Sequence, residues 1–213
     1  MVRNSHQDAL DEQEFEALVD GARFHRRGIR EEAEFVVQLA GRAGLRRGEI
    51  AHFSPDWIDT RRELIEIPAH DPCTKGEEGE PCGYCARAAQ RKASRREDAT
   101  ILDEQWEPKT KHGARAIPYD WHEDLEAAVL RYGMDGGYEK SVHAITRRVK
   151  KSARYADGLD EDDVYPHALR ATAATRFAYQ GLSPAALCGI MGWGDMQMAA
   201  KHVLVPTDGG DQP

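Results

Sequence analysis

His167 and Arg170 stand three residues apart in His167-Ala-Leu-Arg170, so a helix presents both on one face, where an imidazole and a guanidinium reach the same ligand. Taken alone, the pair fits a capping histidine and a solvated arginine as well as it fits an anion site. A second group has more definite chemistry. His70-x2-Cys73-x8-Cys82-x2-Cys85 offers one imidazole and three thiolates, the soft tetrahedral donor set of structural zinc, and Gly83 permits the tight turn inside Cys-x-x-Cys. The polar stretch Thr74 to Pro81 cannot pack without such a centre. With Cys188 standing apart, this usage suits metal binding in a reducing compartment better than a disulfide framework. Finally, Met191-Gly-Trp193-Gly leads to Ala-Ala-Lys-His202, a histidine on a short helical turn with no tyrosine anywhere beyond Tyr179.

Helices must position most of these groups. Asp11 and Glu14 form a capping box ahead of Phe15, Leu18 and Val19, which predicts a helix over about 12–24. The stripe Phe35, Val36, Leu39, Ala40 and Ala43 predicts a second, ending at Gly44, and Leu45-Arg-Arg-Gly-Glu-Ile opens a short third that Pro55 closes. Leu64-Ile-Glu-Ile alternates as a strand; Trp106 to Thr110 and Arg115 to Pro118 read as a hairpin turning at Lys111-His-Gly. Residues 68–104 interrupt this small sheet. Leu125, Ala128 and Val129 mark a further helix, and Tyr138, Val142, Ile145 and Val149 share one side of another whose opposite side carries Arg147, Arg148, Lys151 and Arg154. Pro166 opens the helix of His167 and Arg170, which runs to Tyr179, and Ser183-Pro184 caps one that ends at Gly192. The fold class expected is mainly α with a small antiparallel β-sheet.

The chain of 213 residues is long enough for one sizeable core, so one domain is expected. No apolar run reaches the roughly 20 residues of a membrane span, and the first residues form no signal peptide, so a cytoplasmic protein with no membrane partner is expected. A net charge of −8 speaks against a polyanionic partner only if charge is evenly spread. It is segregated: acids gather in Asp8 to Glu16, Glu77 to Glu80 and Asp157 to Asp163, bases in Arg42 to Arg47, Arg87 to Arg96 and Arg147 to Arg154. Arg87, Arg91 and Arg95 repeat every fourth residue, a stripe that either follows a phosphate backbone or faces solvent.

Five segments in order, Gly44-Leu-Arg46-Arg-Gly-Glu-Ile, Pro108-Lys109-Thr, His167-Ala-Leu-Arg170, Thr172-Ala-Ala-Thr and Met191-Gly-Trp193, resemble the catalytic domain of tyrosine recombinases, the phage integrase family, over 10–205. The resemblance implies that family's architecture and chemistry: a tyrosine attacks a DNA phosphodiester, leaves a 3′-phosphotyrosine, and a partner strand's 5′-hydroxyl reverses the step without catalytic cofactor. Arg46 and Arg170 would clamp the nonbridging phosphate oxygens, Lys109 would protonate the departing 5′-oxygen, His167 would assist proton transfer, and Trp193 would donate an indole hydrogen bond. Arg47 competes with Arg46 for its place, and Lys111 with Lys109. Cysteine-rich insertions also occur in archaeal integrase-like proteins, and arginine outnumbering lysine 21 to 8 in an acidic chain resembles proteins of halophilic archaea.

The family's nucleophile lies nine residues beyond the Trp193 position, and His202 stands there. Either its imidazole attacks phosphorus, giving a phosphoramidate, or His202 is packed or solvated in a domain that has lost cleavage. Family members also carry an N-terminal helical domain of about one hundred residues that closes around DNA. Only a tail of residues 1–9 precedes the match, so half of that clamp is expected to be missing; residues 206–213 read as a disordered tail. The resemblance thus implies a DNA-binding, site-specific recombinase- or integrase-like protein of DNA recombination and integration, its phosphate pocket retained and its cleavage impaired at His202. The alternative is a non-catalytic accessory module that binds DNA or a recombinase. Double-stranded DNA, and a second copy or another recombinase subunit, are the partners expected, with structural zinc at His70, Cys73, Cys82 and Cys85.

Overall fold

The computed structural model describes residues 8–94 and 105–203, apart from the side chains of Lys201 and Val203. Arg95 of the arginine stripe, residues 1–7 of the expected first tail and the expected tail 206–213 lie outside the described residues. In chain order the helices are α1 (Glu12–Arg23), α2 (Arg27–Gly41), α3 (Arg47–Ala51), α4 (Gly83–Ala93), α5 (Glu123–Ala128), α6 (Val142–Tyr155), α7 (Pro166–Tyr179), α8 (Pro184–Met191) and α9 (Met196–Val203). The strands are β1 (Ile58–Asp59), β2 (Leu64–Ile67), β3 (Asp71–Pro72), β4 (Gln105–Trp106) and β5 (Arg115–Pro118). The class is mainly α with small antiparallel sheets, as the periodicities require. Among the described residues no helix is long and apolar enough to cross a membrane.

Helix α1 begins as its capping box dictates: the Asp11 carboxylate accepts from the Glu14 backbone N–H at 2.8 Å, and Glu14 accepts from the Asp11 N–H at 2.9 Å. Phe15, Leu18 and Val19 then pack with α2 and α6 into the larger core, which also takes Ile65, Ile67 and Ile117 from the sheet. A smaller core joins α7, α8 and α9 through Ala173, Ala174, Phe177, Leu187, Met191 and Ala199. The site therefore lies where short elements from both halves meet.

Two local readings change. Strand β5 pairs with β2, with Ile65 opposite Ile117 and Ile67 opposite Arg115, whereas Trp106 pairs with Asp71 in a separate two-stranded ribbon, β3–β4. The expected hairpin is thus a turn without paired arms. Trp106 is pulled away by burial of its indole against Trp57 and His52, at ring separations of 4.9 and 5.4 Å. The helix expected to include Tyr138 starts only at Val142, because Gly136 and Gly137 both take positive φ and Tyr138 is a buried loop residue whose N–H donates to Phe53 O at 3.0 Å.

Candidate functional site

Arg46 caps the start of α3, and Glu49, one turn on, reaches back to accept from the Arg46 backbone N–H at 2.7 Å and from its guanidinium at 2.8 Å. The other Arg46 terminal nitrogen donates to Gly192 O at 2.7 Å. Arg170 projects from the first turns of α7 and donates to the carbonyls of Gly44 and Met191. These acceptors come from places where the chain turns sharply: Gly44 has φ +68° after α2, and Gly192 has φ +61° after α8. A side chain at Gly44 would also meet Met191 Sδ at 2.9 Å. Left-handed backbone supplied by glycine is thus what aims carbonyls at the two guanidiniums.

A third arginine completes the cluster. Arg115, the first residue of β5, forks onto Glu49 with two hydrogen bonds of 2.9 Å and donates to Ile190 O at 2.6 Å and Gly113 O at 2.8 Å. Burial alone would raise the Glu49 carboxyl, but the Arg115 fork and the charges of Arg115, Arg170 and Arg46 hold it down at about 2. Burial, with Arg46 and Arg115 nearby, pushes Arg170 well below its ordinary range, opposed by Glu49. Among the described residues three guanidiniums around one carboxylate leave a local excess of two positive charges, and Arg46 and Arg170 each spend two of five N–H donors there. Such a cluster is set up for an anion.

Arg46, Glu49 and Arg170 open onto a cleft of about 460 Å³ that Lys109, Tyr165, His167, Tyr84 and Trp106 also line. Lys109 is exposed on the turn before Gly113 and faces this cleft; Lys111 lines a different depression beside Trp193. Arg47 is exposed at the rim and donates to Thr146 Oγ1 at 3.2 Å, so Arg46 is the inner of the two. His167 stands on the cleft wall. Loss of hydration there, then the charges of Arg170, Lys109 and Arg46, push its imidazole below its ordinary value, leaving it neutral and able to accept a proton at neutral pH.

Trp193 lies 5.9 Å from the Arg170 guanidinium carbon on one side, and its ring stacks on His202 at 5.1 Å and 14°. His202, 7% exposed on α9, shares a 3.2 Å hydrogen bond between Nδ1 and Thr175 Oγ1 of α7. Tyr165 reaches the cleft, but its hydroxyl donates to Asp8; Tyr179 is 66% exposed at the far end of α7. Of the basic side of α6, Arg148 is paired with Glu32 and Arg154 with Glu161, which reduces that face as an anion surface.

The thiol group assembles with a different histidine. Cys73, Cys82 and Cys85 join His52, all four donor atoms lying within 4.8 Å of one another. Such a cluster can hold a metal ion. His70 is exposed in the turn before β3 and takes no part. The reason is that α3 ends directly beneath Cys82 and Cys85, so His52 is inserted from twenty-one positions away in the chain, where ligand spacing gives no warning.

Two further contributors carry little signal in the sequence. Glu49 lies within Gly44-Leu-Arg46-Arg-Gly-Glu-Ile, three residues after Arg46, where a capping glutamate is expected. Arg115 was visible only as a strand residue; its register opposite Ile67 and its turn to Glu49 are tertiary facts.

The sequence profile of the phage integrase family matches residues 8–204. No curated protein matches the chain significantly. Among solved structures, the chain is similar to the Tn1549 transposon integrase in complex with transposon right-end DNA, at 20% identity and a TM-score of 0.63, covering 93% of this chain and 62% of that one. It is similar to the same integrase with circular intermediate DNA at 21% identity, a TM-score of 0.63 and coverages of 94% and 63%. It is also similar to XerA recombinase at 15% identity, a TM-score of 0.60 and coverages of 93% and 59%. The chain thus spans about three fifths of the length of these proteins. The match of the family profile across nearly the whole chain, on a fold shared with recombinases, makes this protein a member of the phage integrase family.

Proposed function

We propose that this protein binds double-stranded DNA through a phosphate seated between Arg46 and Arg170, as a site-specific recombinase-like protein of DNA recombination and integration whose strand cleavage is impaired at His202. The observation that carries this reading is the guanidinium cluster at the cleft, which Glu49 neutralises only in part. Guanidinium forks match phosphate oxygens and neutralise charge that grows when phosphorus is attacked. Lys109 and a neutral His167 on the rim suit the proton transfers of that chemistry. The similar integrase structures hold DNA, which supports the same partner here.

A second reading, a non-catalytic module that holds DNA or another recombinase subunit, draws support from His202, whose ring is stacked on Trp193 and engaged with Thr175. The thiol cluster is read as a structural zinc centre by the softness of its donors, with no step of the chemistry assigned to it. Titration of a labelled duplex tests the shared part: Arg46→Ala combined with Arg170→Ala should weaken binding by about a hundredfold, as loss of two charge-assisted contacts at about 1.5 kcal/mol each requires. Unchanged affinity would remove the cleft as the contact.

A further inference from the structure

Resting on that zinc reading, we infer that the metal, through His52, fastens the segment between β2 and β5 onto α3, so that metal occupancy governs the phosphate cleft. The donor geometry comes first. With Zn–S near 2.3 Å and Zn–N near 2.0 Å, a tetrahedral centre has N···S edges of about 3.5 Å. His52 Nε2 lies 3.5 Å from Cys82 Sγ and 3.3 Å from Cys85 Sγ. The Cys82 N–H also donates to Cys73 Sγ at 3.4 Å, which draws the third sulfur to the same point. His52 Nδ1 is 2.9 Å from Gly48 O, so this ring nitrogen bonds to α3 itself and Nε2 faces the sulfurs.

The connection to the cleft follows from how few residues separate the two. His52 caps the end of α3 and Arg46 its beginning, six residues or about 9 Å along a helix. Tyr84, next to ligand Cys85, and Trp106, stacked on His52 at 5.4 Å, both line the cleft. Among its described residues the segment is otherwise tied down by the two-residue strands β3–β4, by Trp57 Nε1 donating to Asp71 at 3.0 Å, by burial of Trp106 and Ala89, and by Lys75 donating to Ala51 O and Tyr138 O. A five-residue helix is marginal by itself, and a metal shared with the segment would add a strong anchor to the Lys75–Ala51 hydrogen bond and the Trp106–His52 stack. The four ligands supply one, with three on the segment and one on the helix.

The test uses the full chain, loaded with Zn2+ alone or stripped by a chelator and then reloaded. Metal analysis should find one zinc per chain, lost in His52→Ala, retained in His70→Ala and retained in His52→Cys. Amide hydrogen exchange of the free protein should speed up about tenfold or more over residues 46–53 on stripping and recover on reloading, and duplex affinity should fall and recover in parallel. Reversible stripping of the native chain decides the matter even if His52→Ala does not fold. Zinc absent, or kept after His52→Ala, overturns the site. Exchange over 46–53 that ignores metal overturns the coupling. A loaded protein that ignores DNA but shows metal-dependent exchange upholds the coupling while sinking the DNA reading of the cleft.

Discussion

Among the described residues Glu49 is the anion that Arg46, Arg115 and Arg170 surround, and its carboxyl is held at about 2, below an ordinary value of 4.5. A depressed carboxyl contributes stability that is complete above pH 4.5 and is lost as pH falls through 2. The shift corresponds to about 3 kcal/mol. Glu49→Gln should therefore be less stable than the native chain by about that much at neutral pH, with the gap closing between pH 4.5 and 2 in urea unfolding. A constant gap over that range would mean that the pair is not linked to protonation. In the reading proposed above, cleavage turns on His202. Its ring is held by Trp193 and Thr175, and imidazole is shorter than a phenol. On a nicked duplex the native protein should form no covalent adduct, whereas His202→Tyr, with the arginine cluster intact, should yield a phosphotyrosyl adduct that Arg170→Ala abolishes. The target site is sought in the DNA flanking the gene. An acid-labile, base-stable adduct from the native chain would make His202 itself a nucleophile.

The glycine breaks after α2 and α8 aim the carbonyls that the two cleft arginines grip. Gly192 closes α8 in the left-handed region, presents its carbonyl to Arg46 and leaves no room for a side chain, since an added Cβ would lie 2.8 Å from His112 O. Gly192→Ala should cost about 2 kcal/mol by left-handed strain and weaken DNA binding together with stability. Chemical denaturation and duplex titration on the same variant check this, and a variant of native stability would show that the break tolerates a side chain. Helices α1, α7 and α8 could be read from the sequence because caps and periodicity are local: Asp11 with Glu14, Pro166, Ser183 with Gly192. So could the placing of Arg46, Lys109, His167 and Arg170, which came with the family's ordered segments and which the fold brings to one cleft. His52 and Arg115 could not, because each is defined by a contact across the fold, to Cys85 and to Glu49. The pairing of Trp106 with Asp71 failed to show for the same reason: aromatic burial outweighed the hairpin spacing.

For the molecule as a whole, charge restrains the proposed DNA partner: acidic residues outnumber basic ones 37 to 29, so a duplex would meet net repulsion at long range. Much of the remaining basic surface is already neutralised, Arg148 by Glu32, Lys150 by Asp162 and Arg154 by Glu161. Among the described residues the cations that line the cleft are Arg46, Arg47, Arg170 and Lys109, with Glu107 beside them, and Arg87 and Arg91 are exposed on α4. Binding through so few groups should show a shallow salt dependence, with log K falling against log salt at a slope of about −3 to −4, since each neutralised phosphate contributes about −0.9. Replacing Arg46 and Arg170 together should reduce that slope by about one, because both serve a single phosphate, while the affinity itself drops at every salt concentration. A slope near −10 would require a basic face much larger than the cleft. A slope near zero, with binding retained, would mean that DNA is held through something other than its phosphates, and the arginine cluster would then have to answer to a different anion.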